Sequence, residues 1–462
     1  MIEMGTALLI DIGSTFTKAS LVDLARAELL ARAQYPTTIA AGVNIGLSKV
    51  LEQLPGWEKA RYKLACSSAA GGLKIIAIGF VPRMTAEAAK RAALGAGSKV
   101  LQTYSYELNA EDLAGILEKN PDLILLTGGT DGGNRENLLR NASKLAELPL
   151  QQPIIVAGNK TASAEAEDIL LRAGKEVYLT ENVMPELDKL NIEPAREMIR
   201  KIFLEKIINA KGLDVVNKYI DGIIMPTPSA VLKAAALLAD GFAAETGLGE
   251  LMVVDPGGAT TDIYSIAAGK AKKNVFYQGL EEPYQKRTVE GDLGIRYSLS
   301  SLLEAIGEEL LEEKLKELEI GKEEFQALML NLSQKTETLT AGWEKELERF
   351  LAFQAVRIAA GRHVGRLRTI YTPLGTGFIQ EGKDLTTVKY LIGTGGVIVY
   401  NQDPGSIISG ALYNNQNDPE LLAPGQAEIL VDQEYILAAA GLLAEVEPET
   451  ALRLMKNTIR KI

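Results

Sequence analysis

The sequence has very little of the two residue types on which most metal and disulfide chemistry depends. Cys66 is the only cysteine, which excludes an internal disulfide framework and an intrachain cysteine cluster for zinc or iron–sulfur. His363 is the only histidine, so multi-histidine metal sites and a Ser–His–Asp triad have little material. This usage fits a reducing compartment.

Long apolar runs and basic stretches are also missing. No run of about 18 apolar residues occurs, so we predict no membrane span. The N-terminal region lacks a basic segment and its apolar run is broken by Asp11, which predicts no signal peptide. The chain carries 49 basic and 60 acidic residues, a net charge of −11, which argues against non-specific nucleic-acid binding. We therefore expect a cytoplasmic protein with neither nucleic-acid nor membrane partners.

The first informative stretch is residues 8–18, which read Leu-Leu-Ile-Asp-Ile-Gly-Ser-Thr-Phe-Thr-Lys. The apolar start predicts a buried strand, followed by a turn of small residues and a second strand. Gly13, Ser14 and Thr15 would offer backbone N–H groups and hydroxyls that can wrap phosphate oxygens. Asp11 could hold a hydrated Mg²⁺, which takes one or two carboxylates. Taken alone, the stretch is equally consistent with a β-hairpin that has a polar turn.

Two later stretches strengthen the phosphate interpretation. Residues 251–266 again read as a strand, an acidic residue, a glycine-rich turn and a strand. Residues 388–399 read as an apolar strand that ends in glycines, a surface on which a ribose and adenine could lie. The candidate residues of these stretches are Asp255, Gly257, Gly258, Ala259, Thr260, Asp262, Gly393, Thr394, Gly395 and Gly396.

The segments between these motifs have their own patterns. Residues 98–190 alternate between strands and helices, which predicts a parallel, Rossmann-like unit. Its run Gly-Gly-Thr-Asp-Gly-Gly at residues 128–133 lacks the Gly-x-Gly-x-x-Gly order, so we predict no dinucleotide site there. Residues 300–349 are charged and helical in pattern. The basic cluster at residues 357–368, which we expect on a helix and a turn, is either a solvated face or a contact for a nucleotide or an acidic partner.

In this order, the three motifs resemble phosphate 1, phosphate 2 and the adenosine motif of the superfamily of acetate and sugar kinases, heat-shock ATPase chaperones and actin. The resemblance implies an α/β fold: a two-lobed actin-like ATPase with duplicated ribonuclease-H-like domains. To this fold we expect an inserted Rossmann-like βαβ unit and a helical subdomain to be added. The expected segments are 1–97 (first lobe, phosphate 1), 98–190 (inserted unit), 191–240 (connecting helices), 241–299 (second lobe, phosphate 2), 300–350 (helical subdomain), 351–423 (second lobe, adenosine motif) and 424–462 (C-terminal helices).

The resemblance also implies roles for the candidate residues. Asp11 and Asp255 would hold the hydrated Mg²⁺ of ATP or ADP, and Asp255 and Asp262 are the candidates to orient the attacking water. Lys18 could neutralise phosphate charge. The implied phosphate and adenosine contacts come from Gly13, Ser14, Thr15, Gly257, Gly258, Ala259, Thr260, Gly393, Thr394, Gly395 and Gly396.

One position departs from the superfamily pattern. Pro226-Thr227-Pro228 resembles the start of the first connecting helix, and in the chaperones a glutamate stands just before that proline. Thr227 occupies this position here, so a water-positioning carboxylate is missing. We expect slow turnover, as suits a timed switch.

Within the superfamily, residues 8–18, the run at 126–134 and Arg362-His363-Val364-Gly365 resemble the GlmL/MutL family. Members of this family are accessory proteins of glutamate mutase (methylaspartate mutase) and related adenosylcobalamin enzymes. The resemblance implies a chaperone that reactivates the mutase, with nucleotide-driven lobe movement releasing damaged cofactor. The cobalamin would be bound by the partner mutase subunits. On this interpretation the inserted unit is expected to dock the partner.

Three other functions stay open at this point. A small-molecule kinase would need an aspartate to take the acceptor's proton, and Asp262 could serve. An activator of a hydroxyacyl-CoA dehydratase shares the Asp-x-Gly-Ser motif, but it holds an iron–sulfur cluster between cysteines of two subunits, which the single Cys66 disfavours. A filament-forming cytoskeletal protein would sediment with ATP. The sequence leaves the client mutase and the oligomeric state open.

Overall fold

The computed structural model describes residues 5–38, 43–68, 73–207, 216, 219–332, 342–373, 375–412 and 418–462. The chain forms two compact units. The first unit comprises Met1–Ala25, Leu29–Val231 and Gly279–Glu281. The second unit comprises Arg26–Glu28, Leu232–Gln278 and Glu282–Ile462.

A five-stranded sheet in the order β10-β4-β1-β2-β3 forms the base of the first unit. Strand β1 pairs antiparallel with β2 and parallel with β4, and β10 pairs parallel with β4. Residues 7–10 of β1 are all buried, as the apolar start of the motif predicts. The strands are β1 (Thr6–Ile12), β2 (Phe16–Asp23), β3 (Glu28–Pro36), β4 (Tyr62–Ser67) and β10 (Gly222–Pro226), and the helices of this part are α1 (Val43–Leu51) and α6 (Glu193–Ile202). Helix α7 (Thr227–Asp240) begins in the first unit and continues into the second.

A second sheet of the first unit is fully parallel and has the order β6-β5-β7-β8-β9. It has its own buried core of aliphatic residues, as expected of a Rossmann-like unit. Its elements are β5 (Lys74–Ile78), α2 (Glu87–Gly95), β6 (Lys99–Tyr104), α3 (Ala110–Lys119), β7 (Leu123–Leu126), α4 (Glu136–Glu147), β8 (Ile154–Val156), α5 (Lys160–Arg172) and β9 (Val177–Leu179).

The parallel sheet includes a strand that we expected in the first lobe. Strand β5 hydrogen-bonds to β6 and β7, so this sheet begins at Lys74, upstream of the expected boundary at residue 98.

The glycine-rich run after β7 is held by two asparagines. The Asn159 side chain accepts from the Gly132 N–H and donates to the Gly133 carbonyl, and the Asn182 side chain donates to the Gly129 carbonyl.

A six-stranded sheet in the order β16-β14-β13-β19-β20-β21 forms the base of the second unit. Strand β13 pairs antiparallel with β14 and parallel with β19, and β20 pairs parallel with β19. The strands are β13 (Leu251–Pro256), β14 (Thr261–Ile266), β16 (Gln285–Glu290), β19 (Tyr390–Gly393), β20 (Glu428–Asp432) and β21 (Ile459–Lys461).

The base sheets of the two units repeat one topology. In each sheet, the first two strands form the antiparallel motif hairpin, and the third strand of the sheet in chain order lies on the far side of the second. On the other side, a later strand lies parallel beside the first strand, and a further strand lies parallel beside that one. This repeat is the duplicated ribonuclease-H-like arrangement that the resemblance implies. The expected α/β fold class of an actin-like ATPase is therefore confirmed.

Helices surround the second base sheet, and the longest of them packs on it through buried residues such as Leu351 and Ala355. The expected helical subdomain corresponds to α8 (Leu299–Ile306), α9 (Glu308–Glu317), α10 (Lys322–Leu332) and the start of α11 (Gly342–His363), while its residues 333–341 lie outside the described part of the chain. The remaining elements of the unit are the small strands β11 (Gly241–Phe242), β12 (Glu245–Thr246), β15 (Val275–Gln278), β17 (Arg366–Thr372) and β18 (Gly375–Glu381) and the helices α12 (Gly396–Val399), α13 (Pro404–Ile408), α14 (Leu437–Leu443) and α15 (Pro448–Thr458).

Two expectations differ from this arrangement. The segment 424–462 contributes strands β20 and β21 to the base sheet in addition to its two helices. The basic cluster, expected on a helix and a turn, divides between α11 and strand β17.

Candidate functional site

Asp11 lies at the end of β1, where three neighbouring strands bring other parts of the chain to it. The register pairs Asp11 with Lys18 on β2 and with Cys66 on β4. Strand β10 pairs Met225 with Cys66, so the chain leaves β10 at the same edge and begins α7 at Thr227. The Thr227 hydroxyl therefore reaches Asp11, although 216 positions separate the two residues.

The carboxylate of Asp11 is held on both oxygens. Its Oδ1 accepts a hydrogen bond of 2.7 Å from the Thr227 hydroxyl, and the Cys66 thiol lies 3.6 Å away on the same side. Its Oδ2 lies 3.4 Å from the Lys18 ammonium nitrogen. Only 12% of the Asp11 side chain is exposed, so these groups fix its orientation. Burial, reinforced by the nearby Asp11 charge, raises the pKa of the Cys66 thiol well above its ordinary value.

In the turn after Asp11, two carbonyl groups accept hydrogen bonds from within the first unit. The Gly13 N–H donates to the Phe16 carbonyl, and a Cβ at Gly13 would lie 2.6 Å from that oxygen, which explains the glycine. The Thr37 hydroxyl and N–H donate to the carbonyls of Gly13 and Thr15. Among the described residues, the N–H groups of Ser14 and Thr15 have no acceptor. Consecutive N–H groups left without an acceptor in a tight turn form an anion-binding concavity.

The second motif hairpin repeats this pattern. The Gly257 N–H donates to the Thr260 carbonyl across the turn, at 2.8 Å. The carbonyls of Gly257, Gly258 and Ala259 accept from residues 295–298. Within the described part of the chain, the N–H groups of Gly258, Ala259 and Thr260 have no acceptor. Each unit therefore presents a turn whose geometry suits a phosphate group.

The two acidic residues of the second hairpin have different environments. Asp255 and Asp262 are paired across β13 and β14. Asp262 is buried, and its Oδ1 lies 2.8 Å from Nε and 2.6 Å from Nη2 of the buried Arg287 on β16. Its Oδ2 accepts from the Thr260 hydroxyl at 3.0 Å. Asp262 therefore connects the buried guanidinium to the phosphate turn, whereas Asp255 is half-buried at the end of its strand.

The adenosine motif lies directly beside the second hairpin, because Gly393 on β19 pairs with Val254 on β13. Gly395 has a φ of 94°, and a Cβ there would lie 2.5 Å from Oδ1 of Asp255. Gly395 is therefore the member of this motif that approaches a candidate magnesium ligand.

Two other residues of the adenosine motif have contacts within the protein. A Cβ at Gly393 would lie 2.3 Å from Cδ1 of Ile408, so this glycine is needed for packing. The buried Thr394 hydroxyl donates to Asp432, which also accepts from the N–H groups of Ile436 and Leu437. Gly396 begins the short helix α12.

The basic cluster at residues 357–368 is largely engaged within the second unit. Arg362 pairs with Glu290 and Asp292, and Arg366 pairs with Asp418. His363 is fully buried, and its Nε2 and Nδ1 lie 2.8 Å from the hydroxyls of Ser265 and Thr288. Burial, with help from the charges of Lys286 and Lys383, lowers the pKa of His363 well below its ordinary value.

The structure thus brings the predicted residues together in two groups. The first unit assembles Asp11, Gly13, Ser14, Thr15 and Lys18 in one hairpin, and the second unit assembles the phosphate 2 hairpin with the adenosine motif. Sequence reasoning missed Arg287, the thiol of Cys66 beside Asp11 and the role of Asp432. The one available signal for Arg287 was a basic residue in β16, the third strand of the base sheet in chain order.

The described residues contain no group of three or more histidine, cysteine, aspartate or glutamate residues placed to hold a metal ion. A hydrated Mg²⁺ bound with phosphate needs only one or two carboxylates, which Asp11 and Asp255 can each supply. The described helices include none that is both long and apolar enough to cross a membrane.

Comparison with known proteins decides the family. The family model described as MutL protein matches residues 7–459. The chain therefore belongs to the MutL protein family. It is 48% identical to Protein MutL of Clostridium tetanomorphum over 468 residues, which cover 99% of this chain and 100% of that protein. The family resemblance read from the sequence is confirmed.

The MutL-family chain is also similar to solved structures at low identity. An acetone carboxylase in a nucleotide-free structure is 14% identical with a TM-score of 0.41, over 95% of this chain and 70% of that one. Component A of (R)-2-hydroxyglutaryl-CoA dehydratase from Acidaminococcus fermentans is 11% identical with a TM-score of 0.32, over 97% and 99%. Xylulose kinase from Bifidobacterium adolescentis is 12% identical with a TM-score of 0.31, over 97% and 94%. These values are too low to transfer any function.

Proposed function

We propose that this MutL-family protein is an ATP-binding, slowly hydrolysing accessory factor that reactivates an adenosylcobalamin-dependent mutase of the glutamate mutase type. The observation that carries the nucleotide part is the pair of motif turns. In both, most carbonyls of the turn accept hydrogen bonds from within the protein, while consecutive N–H groups have no acceptor among the described residues. The resemblance to glutamate mutase accessory proteins supplies the client.

On this proposal each hairpin binds nucleotide phosphate through its turn. The N–H groups of Ser14 and Thr15, and those of residues 258–260, would donate to phosphate oxygens. Lys18 would neutralise part of the phosphate charge. Asp11 and Asp255 are the candidate magnesium ligands, and the ion would supply charge neutralisation and fix the orientation of the phosphates.

The environment of Asp262 supports slow turnover. A general base must be able to reach a water or an acceptor hydroxyl. Asp262 instead accepts from Arg287 on one oxygen and from the Thr260 hydroxyl on the other. We therefore propose that Asp262 positions the phosphate turn, and that Asp255 is the better candidate to orient water. The accessory factor is therefore favoured over a small-molecule kinase, because a kinase would depend on Asp262 as the base.

The mutase part is tested by a reactivation assay. Purified mutase whose cobalamin lacks the adenosyl group is mixed with the chain, Mg-ATP and free adenosylcobalamin, and mutase activity is followed with time. We expect activity to return only when both the chain and ATP are present. Asp11→Ala is the control that should not restore activity. Equal recovery without the chain would reject the accessory role.

A parallel assay separates the kinase alternative. Phosphate release and ATP consumption are measured with and without sugars and carboxylic acids. Slow ATP consumption that does not respond to these compounds supports the accessory factor, whereas a large stimulation by one of them supports a kinase. The role of the inserted unit in docking the mutase and the cytoplasmic location both stay predictions.

A further inference from the structure

Among the described residues, the hydroxyl of Thr227 makes the shortest hydrogen bond to the Asp11 carboxylate. The Oγ1 to Oδ1 distance is 2.7 Å, and the bond joins the first residue of α7 to the end of β1. At this position the superfamily resemblance leads one to expect a carboxylate that acts on water. The structure places there a neutral donor that acts on the carboxylate of Asp11.

The start of α7 holds this hydroxyl in place. Pro226 and Pro228 flank Thr227 and restrict the backbone on both sides. One residue further, the Ser229 hydroxyl donates to the Ala96 carbonyl at 2.8 Å. The flanking prolines therefore set the backbone at Thr227, whereas the Ser229 hydroxyl bonds elsewhere and does not contact Asp11.

The two oxygens of Asp11 face groups of different character. Oδ1 faces the neutral hydroxyl and thiol of Thr227 and Cys66, whereas Oδ2 faces the ammonium group of Lys18. A hydroxyl satisfies one oxygen without bringing a charge. A second carboxylate at residue 227 would instead repel Asp11. This division leaves Oδ2 as the oxygen that faces cationic groups.

We infer that Thr227 is a positioning residue for magnesium binding: its hydroxyl fixes the rotation of the Asp11 carboxylate and so presents Oδ2 to the magnesium ion of the nucleotide. The inference rests on the proposed nucleotide binding and adds to it the residue that sets the metal dependence. It assigns to Thr227 no contact with the reacting phosphate.

The test compares three variants by calorimetric titration with ATP, once with saturating magnesium and once with EDTA. Thr227→Val keeps the side-chain shape and removes the hydroxyl, whereas Thr227→Ser keeps the hydroxyl. Ser229→Ala is the control, because it removes a neighbouring hydroxyl that does not contact Asp11. The free energy of one hydrogen bond to a charged group corresponds to a change of about ten- to hundredfold in a dissociation constant. We therefore expect Thr227→Val to bind Mg-ATP about ten- to hundredfold more weakly, while its magnesium-free ATP affinity stays near that of the wild type.

Thr227→Ser and Ser229→Ala should both retain wild-type magnesium dependence. The inference is overturned if Thr227→Val keeps that dependence, or if it loses magnesium-free binding to the same extent, since a general structural role would explain equal losses. In either case a wild-type chain that binds Mg-ATP leaves the proposed function standing. A wild-type chain that binds no nucleotide would reject the proposed function, and the inference with it.

Discussion

The buried pair of Arg287 and Asp262 gives the sharpest prediction about the second unit. Both side chains are almost fully buried, and two guanidinium nitrogens lie 2.6 and 2.8 Å from one carboxylate oxygen. Arg287→Met removes the cation and keeps most of the side-chain volume, so Asp262 is left as a buried charge without its ion-pair partner. Breaking a buried pair in this way costs about 3–5 kcal/mol.

This cost should appear directly in thermal unfolding. For a unit of this size, each kcal/mol lowers the melting temperature by about 2–4 °C, so Arg287→Met should melt about 6–20 °C below the wild type. Arg362→Met is the matched control, because Arg362 is 41% exposed and pairs with Glu290 and Asp292 at the surface. Exposed pairs contribute about 0–1 kcal/mol, so the control should melt within a few degrees of the wild type.

A double variant tests whether the unpaired charge is the cause. Arg287→Met combined with Asp262→Leu replaces both partners with apolar groups, and such replacements of buried pairs are often neutral or stabilising. The double variant should therefore recover much of the stability lost in Arg287→Met. The reasoning is refuted if Arg287→Met melts no lower than Arg362→Met, or if the double variant is less stable than the single one.

Two further predictions concern the same unit. Gly395→Ala should lower the free energy of unfolding by about 1–3 kcal/mol and weaken nucleotide binding, because a φ of 94° with a ψ of 149° is strained for any L-residue and the new Cβ would approach Asp255. Gly425→Ala is the control, because no heavy atom lies within 4 Å of the added Cβ. Equal behaviour of the two variants would contradict the prediction. The depressed pKa of His363 means that the unfolded chain binds a proton which the folded chain does not, so stability should fall as the pH drops below about 6.5, by up to about 1.4 kcal/mol per pH unit. Melting temperatures of the wild type and His363→Gln between about pH 7 and 5 test this, since a variant that keeps the full slope would show that other groups cause it.

The sequence predicted the motif hairpins well because their information is local. A buried strand, an aspartate at its end and a turn of small residues are all contained in residues 8–18, and the same pattern recurs at residues 251–266. The apolar strand with terminal glycines at residues 388–399 was equally readable. These three stretches sufficed to predict the fold class, whereas the family resemblance also needed the runs at residues 126–134 and 362–365; both predictions are confirmed.

The contacts that define the candidate site could not be predicted in the same way. The bond from Thr227 to Asp11 depends on the register of three strands, of which β10 is separated from β1 by more than 200 residues. Arg287 reaches Asp262 only because β16 lies next to β14. Strand β5 was expected in the first lobe for a similar reason, since an apolar strand does not specify its neighbours in a sheet.

The central claim is that this chain binds nucleotide phosphate through its two motif turns. Calorimetric titration of the chain with Mg-ATP and with Mg-ADP, alongside the Asp11→Ala variant, tests this claim most directly. We expect saturable binding of both nucleotides to the wild type and a loss of Mg-ATP binding in the variant. Absence of nucleotide binding by the wild type, or unchanged Mg-ATP binding by Asp11→Ala, would contradict the account.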